Sequence, residues 1–159
     1  MRALSLFLML FINGGLQAGE VRLMEVSHLD GIYRLEFDAV IAADFDKVYL
    51  LVTDHAHLEQ LSDIIIESAL IEASPDGKAQ RRLVMRSCLL LYCVKAIMVE
   101  AFEELEEGQE IVIRTVIVPG QSNFKSGGTE WRLSRSGDSG SRIRFNSVEE
   151  PDFWLPPVI

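Results

Sequence analysis

The chain has 159 residues, of which 48% are hydrophobic and 25% are charged, a composition typical of one globular domain. This composition excludes a disordered, collagen-like or coiled-coil chain. Lysine and arginine number 15 against 24 acidic residues, so the formal net charge is −9, which argues against binding to nucleic acid or to anionic lipid surfaces.

The N-terminus has the pattern of a secretory signal peptide. Arg2 precedes an apolar run from Ala3 to Ile12, and the small residue Ala18 suits the end of a cleaved leader. The run is too short to span a bilayer, which needs ~20 apolar residues. We predict a signal peptide over residues 1–18, a periplasmic or secreted product, and no stable membrane span after the leader is removed. The alternative is a buried or membrane-lying N-terminal helix.

The next segments predict a strand and two short helices. Ile32–Ile41 alternates between apolar and polar residues, as in a half-buried strand. Asp44 is a suitable helix N-cap. From Phe45 to Leu61 the apolar residues recur at steps of three and four, with a break at Thr53-Asp54. This spacing predicts a helix of about two turns, a kink and a second short helix.

The rest of the chain reads as strands joined by short turns. Predicted strands occupy residues 64–73, 80–87, 94–103, 110–118, 127–134 and 141–149. Glu104–Gly108 is predicted to be a solvated acidic loop, and Gly127 and Gly128 to permit a bulge or tight bend. Short turns favour antiparallel pairing. The predicted fold is therefore α+β, a curved antiparallel sheet with two short helices inserted after its first strand.

The two cysteines lie on either side of a predicted hairpin bend. A bend at Leu89–Tyr92 would place Cys88 and Cys93 opposite each other at disulfide distance. In an oxidising compartment such a pair favours a disulfide, which we predict. The alternative is two buried free thiols.

Three stretches carry a resemblance to a known family. They are AVIAADFDKVYLLVTDHAHLEQL (39–61), VIVPGQSNFKSGGTEWRL (116–133) and PDFWLPPVI (151–159). Together with the element order over nearly all of residues 21–159, they resemble the START/Bet v 1-like superfamily, also called SRPBCC or polyketide cyclase-like proteins. The resemblance implies a helix-grip fold, in which a curved sheet wraps a long C-terminal helix and a hydrophobic pocket lies between them.

The sequence departs from that pattern at its C-terminus. It stops at Ile159, two residues after Pro156-Pro157, where the closing helix should begin. We therefore expect a START/SRPBCC-like domain over residues 19–159 without this helix. Either the chain is truncated, or a homodimer or another partner covers the open sheet face.

The polar residues favour no catalytic or metal site. The chain has no GxSxG motif for a hydrolytic triad. His55 and His57 would diverge on a helix, and Glu149 and Glu150 would point to opposite faces of a strand. We expect these four side chains to be solvated, and we expect no cofactor. Lys125 is expected to form a salt bridge or to contact a ligand head group.

The apolar face of the predicted sheet is the candidate ligand site. The residues that we expect to bind a ligand are Phe37, Met85, Ile113, Trp131 and Phe145. Such a pocket suits a small hydrophobic ligand such as a lipid, isoprenoid or polyketide, although the same side chains could simply fill a core. We predict an exported hydrophobic-ligand-binding protein without catalysis. The alternative is a polyketide cyclase/dehydratase-like enzyme that uses the same pocket, with Tyr33 and Glu149 as its polar groups.

Overall fold

The fold was analysed in a computed structural model that describes residues 19–89 and 92–153. The strands are β1 (Glu20–Leu29), β2 (Ile32–Ile41), β3 (Ile65–Ile71), β4 (Ala79–Leu89), β5 (Tyr92–Glu107), β6 (Glu110–Ile117), β7 (Phe124–Ser136) and β8 (Gly140–Pro151). One helix, α1 (Phe45–Thr53), and a 3₁₀ turn (Leu58–Gln60) lie between β2 and β3. The predicted signal peptide, the hairpin bend at 90–91 and the tail after Phe153 lie outside the described residues.

The eight strands form one curved antiparallel sheet in the order β1-β2-β8-β7-β6-β5-β4-β3. The predicted α+β class and antiparallel sheet are confirmed. Two details of the prediction were wrong: the helical segment follows the second strand rather than the first, and its second part is a single 3₁₀ turn.

The strand that sequence analysis missed is β1. All ten of its residues are exposed, and as an edge strand it pairs only with β2. The turn between these strands is Asp30-Gly31, with φ angles of 52° and 82°. An Asp-Gly pair between two strands is a strong hairpin signal, because both residues tolerate positive φ. This dipeptide could therefore have revealed β1.

The predicted acidic loop at Glu104–Gly108 was also wrong. Strand β5 continues to Glu107, and the turn to β6 begins at Gly108 with φ 66°. The acidic residues remain in the strand because their neighbours compensate them. Arg114 lies 2.6 Å from Glu107, and the Tyr49 hydroxyl donates to Glu104 Oε1 at 2.7 Å.

Helix α1 lies against the concave face of the sheet. Asp44 caps it as predicted, with its carboxylate accepting from the backbone N–H of Asp46 at 3.1 Å and of Lys47 at 3.3 Å. The helix buries Val48 and Val52. The sheet residues in the same core cluster are Ile113 and Leu133. A second cluster, around Leu58 of the 3₁₀ turn, contains Leu83, Ala96, Met98, Ile117 and Phe124. Helix and turn thus cover part of the concave face.

A bulge in β7 lies just before the two glycines at which one was predicted. The register with β8 shifts between Phe124 and Ser126, and Gly127 has φ 144°. A side chain at Gly127 would also collide with the carbonyl oxygen of Val148. Only glycine fits this position.

Among the described helices, none is long and apolar enough to cross a membrane. Over residues 19–89 and 92–153, α1 and the 3₁₀ turn are the helical segments of the chain. The missing closing helix concerns residues after Phe153, so it stays a prediction.

Candidate ligand-binding cavity

A cavity lies between the concave face of the sheet and the segment formed by α1 and the 3₁₀ turn. Its volume is about 140 Å³. It is lined by Val52, Leu58, Leu61, Ile65, Arg81, Leu83, Met85, Met98, Glu100, Ile113, Thr129, Trp131, Phe145 and Glu149. The lining is mostly apolar, with a few polar groups that could orient a bound molecule, as in small-molecule sites generally.

Four of the five residues expected to bind a ligand line this cavity. Met85, Ile113, Trp131 and Phe145 do so, and the rings of Trp131 and Phe145 lie 4.5 Å apart between centroids. Phe37 is not among the lining residues. It lies on β2 opposite Phe145, one strand further toward the sheet edge, and is half-buried.

A second apolar cavity, of about 260 Å³, adjoins the first. The two share Met85 and Glu149. The second cavity is further lined by Tyr33, Ile64, Ser87, Val94, Ala96, Phe124, Pro151 and Phe153. The concave face therefore has two adjoining hollows, and Glu149 lies where they meet.

A buried ion pair forms part of the wall of the first cavity. Arg81 on β4 faces Glu100 on β5 in the register, and their side chains are only 6% and 1% exposed. Two nitrogens of Arg81 reach the same oxygen, Glu100 Oε2, at 2.8 and 2.9 Å. Removing one partner of such a pair leaves an uncompensated buried charge. Replacing only one of the two residues should therefore destabilise the protein more than replacing both.

Two threonines complete the hydrogen bonding of Glu100. The Thr115 hydroxyl donates to Glu100 Oε1 at 2.7 Å and lies 3.0 Å from the Thr129 hydroxyl. Because Thr115 has one hydroxyl proton and gives it to Glu100, the Thr129 hydroxyl must donate to Thr115. Together with the bonds from Arg81, this chain gives both carboxylate oxygens of Glu100 a donor and reaches the cavity lining at Thr129.

His55 contacts the other side of Arg81. Its ring is buried rather than solvated, so the expectation for this residue was wrong. Arg81 donates to His55 Nδ1 at 2.9 Å; since arginine is always a donor, the proton of the neutral ring is on Nε2. Burial, followed by the Arg81 charge, lowers the pKa of His55 to about 4. His55 is therefore neutral near pH 7.

His57 and His55 do not converge on a site. His57 is exposed, as expected, and lies 3.0 Å from Asp54, which raises the pKa of His57 by hydrogen bonding. In the described part of the chain no three His, Cys, Asp or Glu side chains are grouped to hold a metal ion.

Glu149 is partly buried in the cavity instead of being solvated. Its described hydrogen bond comes from the Ser147 hydroxyl at 3.4 Å. Burial, and then the Glu100 carboxylate, raise the pKa of Glu149 to about 6. The next residue, Glu150, points to the opposite face and pairs with Lys125 at 3.2 Å. This is the salt bridge that was one of the two expectations for Lys125.

The cysteines lie at the end of the β4–β5 hairpin. Cys88 faces Cys93 in the register, and their sulfur atoms are 2.13 Å apart, the geometry of a disulfide. Both residues are exposed. They are therefore not the buried thiols of the alternative interpretation.

Sequence reasoning missed the Arg81–Glu100 pair, although a signal was present. Arg81 has the same strand parity as Leu83 and Met85, and Glu100 has that of Met98. A charged residue in an inward-facing series of this kind must find a buried partner. The pairing itself depends on the register between β4 and β5, which cannot be read from the sequence.

The architecture resembles solved structures. A START superfamily protein from Mycobacterium smegmatis matches with a TM-score of 0.60 and 16% identity, over 77% of this chain and 80% of that chain. A STAR-related lipid transfer protein from Xanthomonas axonopodis matches with a TM-score of 0.56 and 17% identity, over 84% and 85%. Human STARD10 matches with a TM-score of 0.57 and 12% identity, over 84% of this chain and 63% of that chain.

This chain has a START/Bet v 1-like fold. The resemblance seen in the sequence is thereby confirmed at the level of fold. No protein-family model matches the sequence, and no curated protein matches it significantly. At such identities the likeness shows the START-like fold alone, so function must be argued from the cavity.

Proposed function

We propose that this chain binds a small hydrophobic ligand, of lipid, isoprenoid or polyketide type, without catalysing a reaction. The observation that carries the proposal is the mostly apolar cavity with a polar cluster in its wall, together with the second apolar cavity that adjoins it. The first cavity's volume of about 140 Å³ is below the ~300–1,000 Å³ of typical small-molecule sites, so a larger ligand would extend into the adjoining cavity of about 260 Å³. The Xanthomonas protein of the same fold is named for lipid transfer, which also supports this ligand class.

The physical basis of binding is the removal of apolar surface from water. Each methylene buried by the cavity contributes about 0.8 kcal/mol before the costs of association. Affinity should therefore rise with ligand chain length until the cavity is filled.

The test is binding of a neutral fluorophore, N-phenyl-1-naphthylamine, to the purified protein. Met85→Trp fills space where the two cavities meet, and we expect it to weaken binding by at least ~10-fold, because ~1.4 kcal/mol of lost contact is tenfold in affinity. Val116→Trp is the matched control, since Val116 is 60% exposed and lies on the opposite face of β6. Circular dichroism would verify that both variants fold. Absence of binding by the wild type, or equal binding by both variants, would contradict the proposal.

We propose further that the protein is exported. The predicted leader over residues 1–18 supports this, and so does the exposed Cys88–Cys93 pair, because disulfides persist mainly in oxidising compartments. Mass spectrometry of protein from its native host should find Gly19 or a neighbour as the first residue. Recovery of the chain beginning at Met1 would refute export.

One observation favours the cyclase/dehydratase-like alternative. Glu149 is a cavity carboxyl with a raised pKa of about 6, a value suited to general acid/base work near neutral pH. Tyr33, opposite Glu149 in the register, lines the adjoining cavity. Turnover of an aromatic polyketide that Glu149→Gln abolishes and Glu150→Gln leaves unchanged would favour the enzyme over the binding protein.

A further inference from the structure

The charged groups around the first cavity do not balance. Its lining contains one cation, Arg81, and two carboxylates, Glu100 and Glu149. His55 behind Arg81 is neutral near pH 7, because its pKa is lowered to about 4. The residues that line the adjoining cavity include no lysine or arginine. The cavity wall therefore carries one negative charge in excess.

The cation is already occupied. Arg81 places two nitrogens on Glu100 Oε2, at 2.8 and 2.9 Å, with both side chains almost fully buried. An anionic ligand would have to displace Glu100 from Arg81. Leaving a buried carboxylate without its cation costs several kcal/mol, so Arg81 is a poor receptor for a ligand carboxylate.

Glu149 supplies the excess charge and has no cation beside it among the described contacts. Its hydrogen bond from Ser147 is long, at 3.4 Å, so most of its acceptor capacity remains available. The neighbouring Glu150 differs in this respect. On the other face of the sheet its carboxylate accepts hydrogen bonds from Lys125 Nζ and from the Ser126 hydroxyl, both at 3.2 Å. The uncompensated carboxylate is the one that both cavities share.

We propose that Glu149 selects ligands whose polar head donates a hydrogen bond and carries no negative charge, such as an alcohol or an amine. An ionised carboxylate can only accept hydrogen bonds, so a hydroxyl or ammonium group complements it. A fatty-acid head would place a second acceptor and a like charge against it in a poorly hydrated site. This inference rests on the proposed function, and it adds the chemical class of the head group.

The test compares three ligands of equal chain length as competitors of N-phenyl-1-naphthylamine: decan-1-ol, decylamine and decanoate. At about pH 8, where Glu149 is ionised, we expect the alcohol and the amine to displace the fluorophore at concentrations ~10-fold or more below that of decanoate. Glu149→Gln should reduce this discrimination several-fold, chiefly by improving decanoate. Glu150→Gln, the matched neighbour, should leave the ratios unchanged.

The outcomes separate this inference from the function on which it rests. If decanoate competes as well as decan-1-ol, or if Glu149→Gln leaves the discrimination intact, Glu149 does not select the ligand, although binding itself stands. If the fluorophore and all three ligands fail to bind the wild type, the proposed function fails and the selection by Glu149 fails with it. Thermal unfolding of each variant would exclude misfolding as the cause.

Discussion

Replacing the cavity carboxylate should make the protein more stable at neutral pH. Burial and Glu100 raise the pKa of Glu149 from an ordinary value of 4.5 to about 6. Below pH 4.5 this carboxyl is protonated in both the folded and the unfolded chain. As the pH rises from 4.5 to about 6, the unfolded chain loses this proton first, so unfolding becomes progressively more favourable.

The size of this loss of stability follows from the difference between the two pKa values of Glu149. A native pKa of about 6 against 4.5 in the unfolded chain corresponds to about 2 kcal/mol of native-state free energy. Above about pH 6 the cost is complete and constant. Glu149→Gln removes the ionisable group while keeping an acceptor for the Ser147 hydroxyl. We therefore expect the variant to match the wild type near pH 4 and to exceed its free energy of unfolding by up to about 2 kcal/mol near pH 8.

Urea unfolding followed by circular dichroism at a series of pH values would measure this difference. Glu150→Gln is the control: it removes the ion pair with Lys125, which is worth ~0–1 kcal/mol, and leaves an acceptor for the Ser126 hydroxyl. If Glu149→Gln is no more stable than the wild type at pH 8, or if the difference does not grow with pH, the carboxyl is not desolvated as described. The expected gain would mean that the fold gives up stability to keep a charge in its cavity, as functional sites commonly do.

The buried network and the disulfide provide further predictions. Arg81→Met alone should lower the free energy of unfolding by about 3–5 kcal/mol, because it leaves the Glu100 carboxylate buried without its cation. Arg81→Met combined with Glu100→Leu should recover most of that loss in urea unfolding. Equal stability of the single and double variants would refute this. His55 has a pKa lowered from 6.5 to about 4, so the native state should lose roughly 3 kcal/mol as the pH falls from 6.5 toward 4. His55→Gln should remove this acid-induced loss, and an unchanged pH profile would show that the ring is accessible. Replacing Cys88 and Cys93 by serine should lower the free energy of unfolding by about 2 kcal/mol, the expectation for a short closed loop; an unaltered midpoint would indicate that the bond does not form in the protein.

Strand alternation carried most of the fold prediction. β2, β4, β6, β7 and β8 were each predicted close to their observed positions. The N-cap at Asp44 was also predicted, because it depends on the local backbone. β1 was missed because an exposed edge strand has little need of alternation, and β5 was predicted too short because an acidic run resembles a loop.

The cavity could be predicted only in part. Met85, Ile113, Trp131 and Phe145 were expected on one face from parity, and they line the cavity. Phe37 has the same parity, but sheet order places it beyond the cavity lining. The burial of His55 was missed because its ring packs against Arg81 and Phe102, which are far from it in the sequence.

The sequence by itself determined the sheet, its inward apolar face and the START-like resemblance, because these depend on residue parity and turn chemistry within a few positions. Only the tertiary structure decided which charges meet. Arg81 and Glu100 are 19 residues apart, and whether they pair depends on the register of β4 and β5. The environment of Glu149 also depends on tertiary structure, whereas the sequence predicted that Glu149 and Glu150 are both solvated. The burial of Glu149 beside Glu100, and the Lys125 partner that only Glu150 acquires, turn two adjacent glutamates into groups with different chemistry.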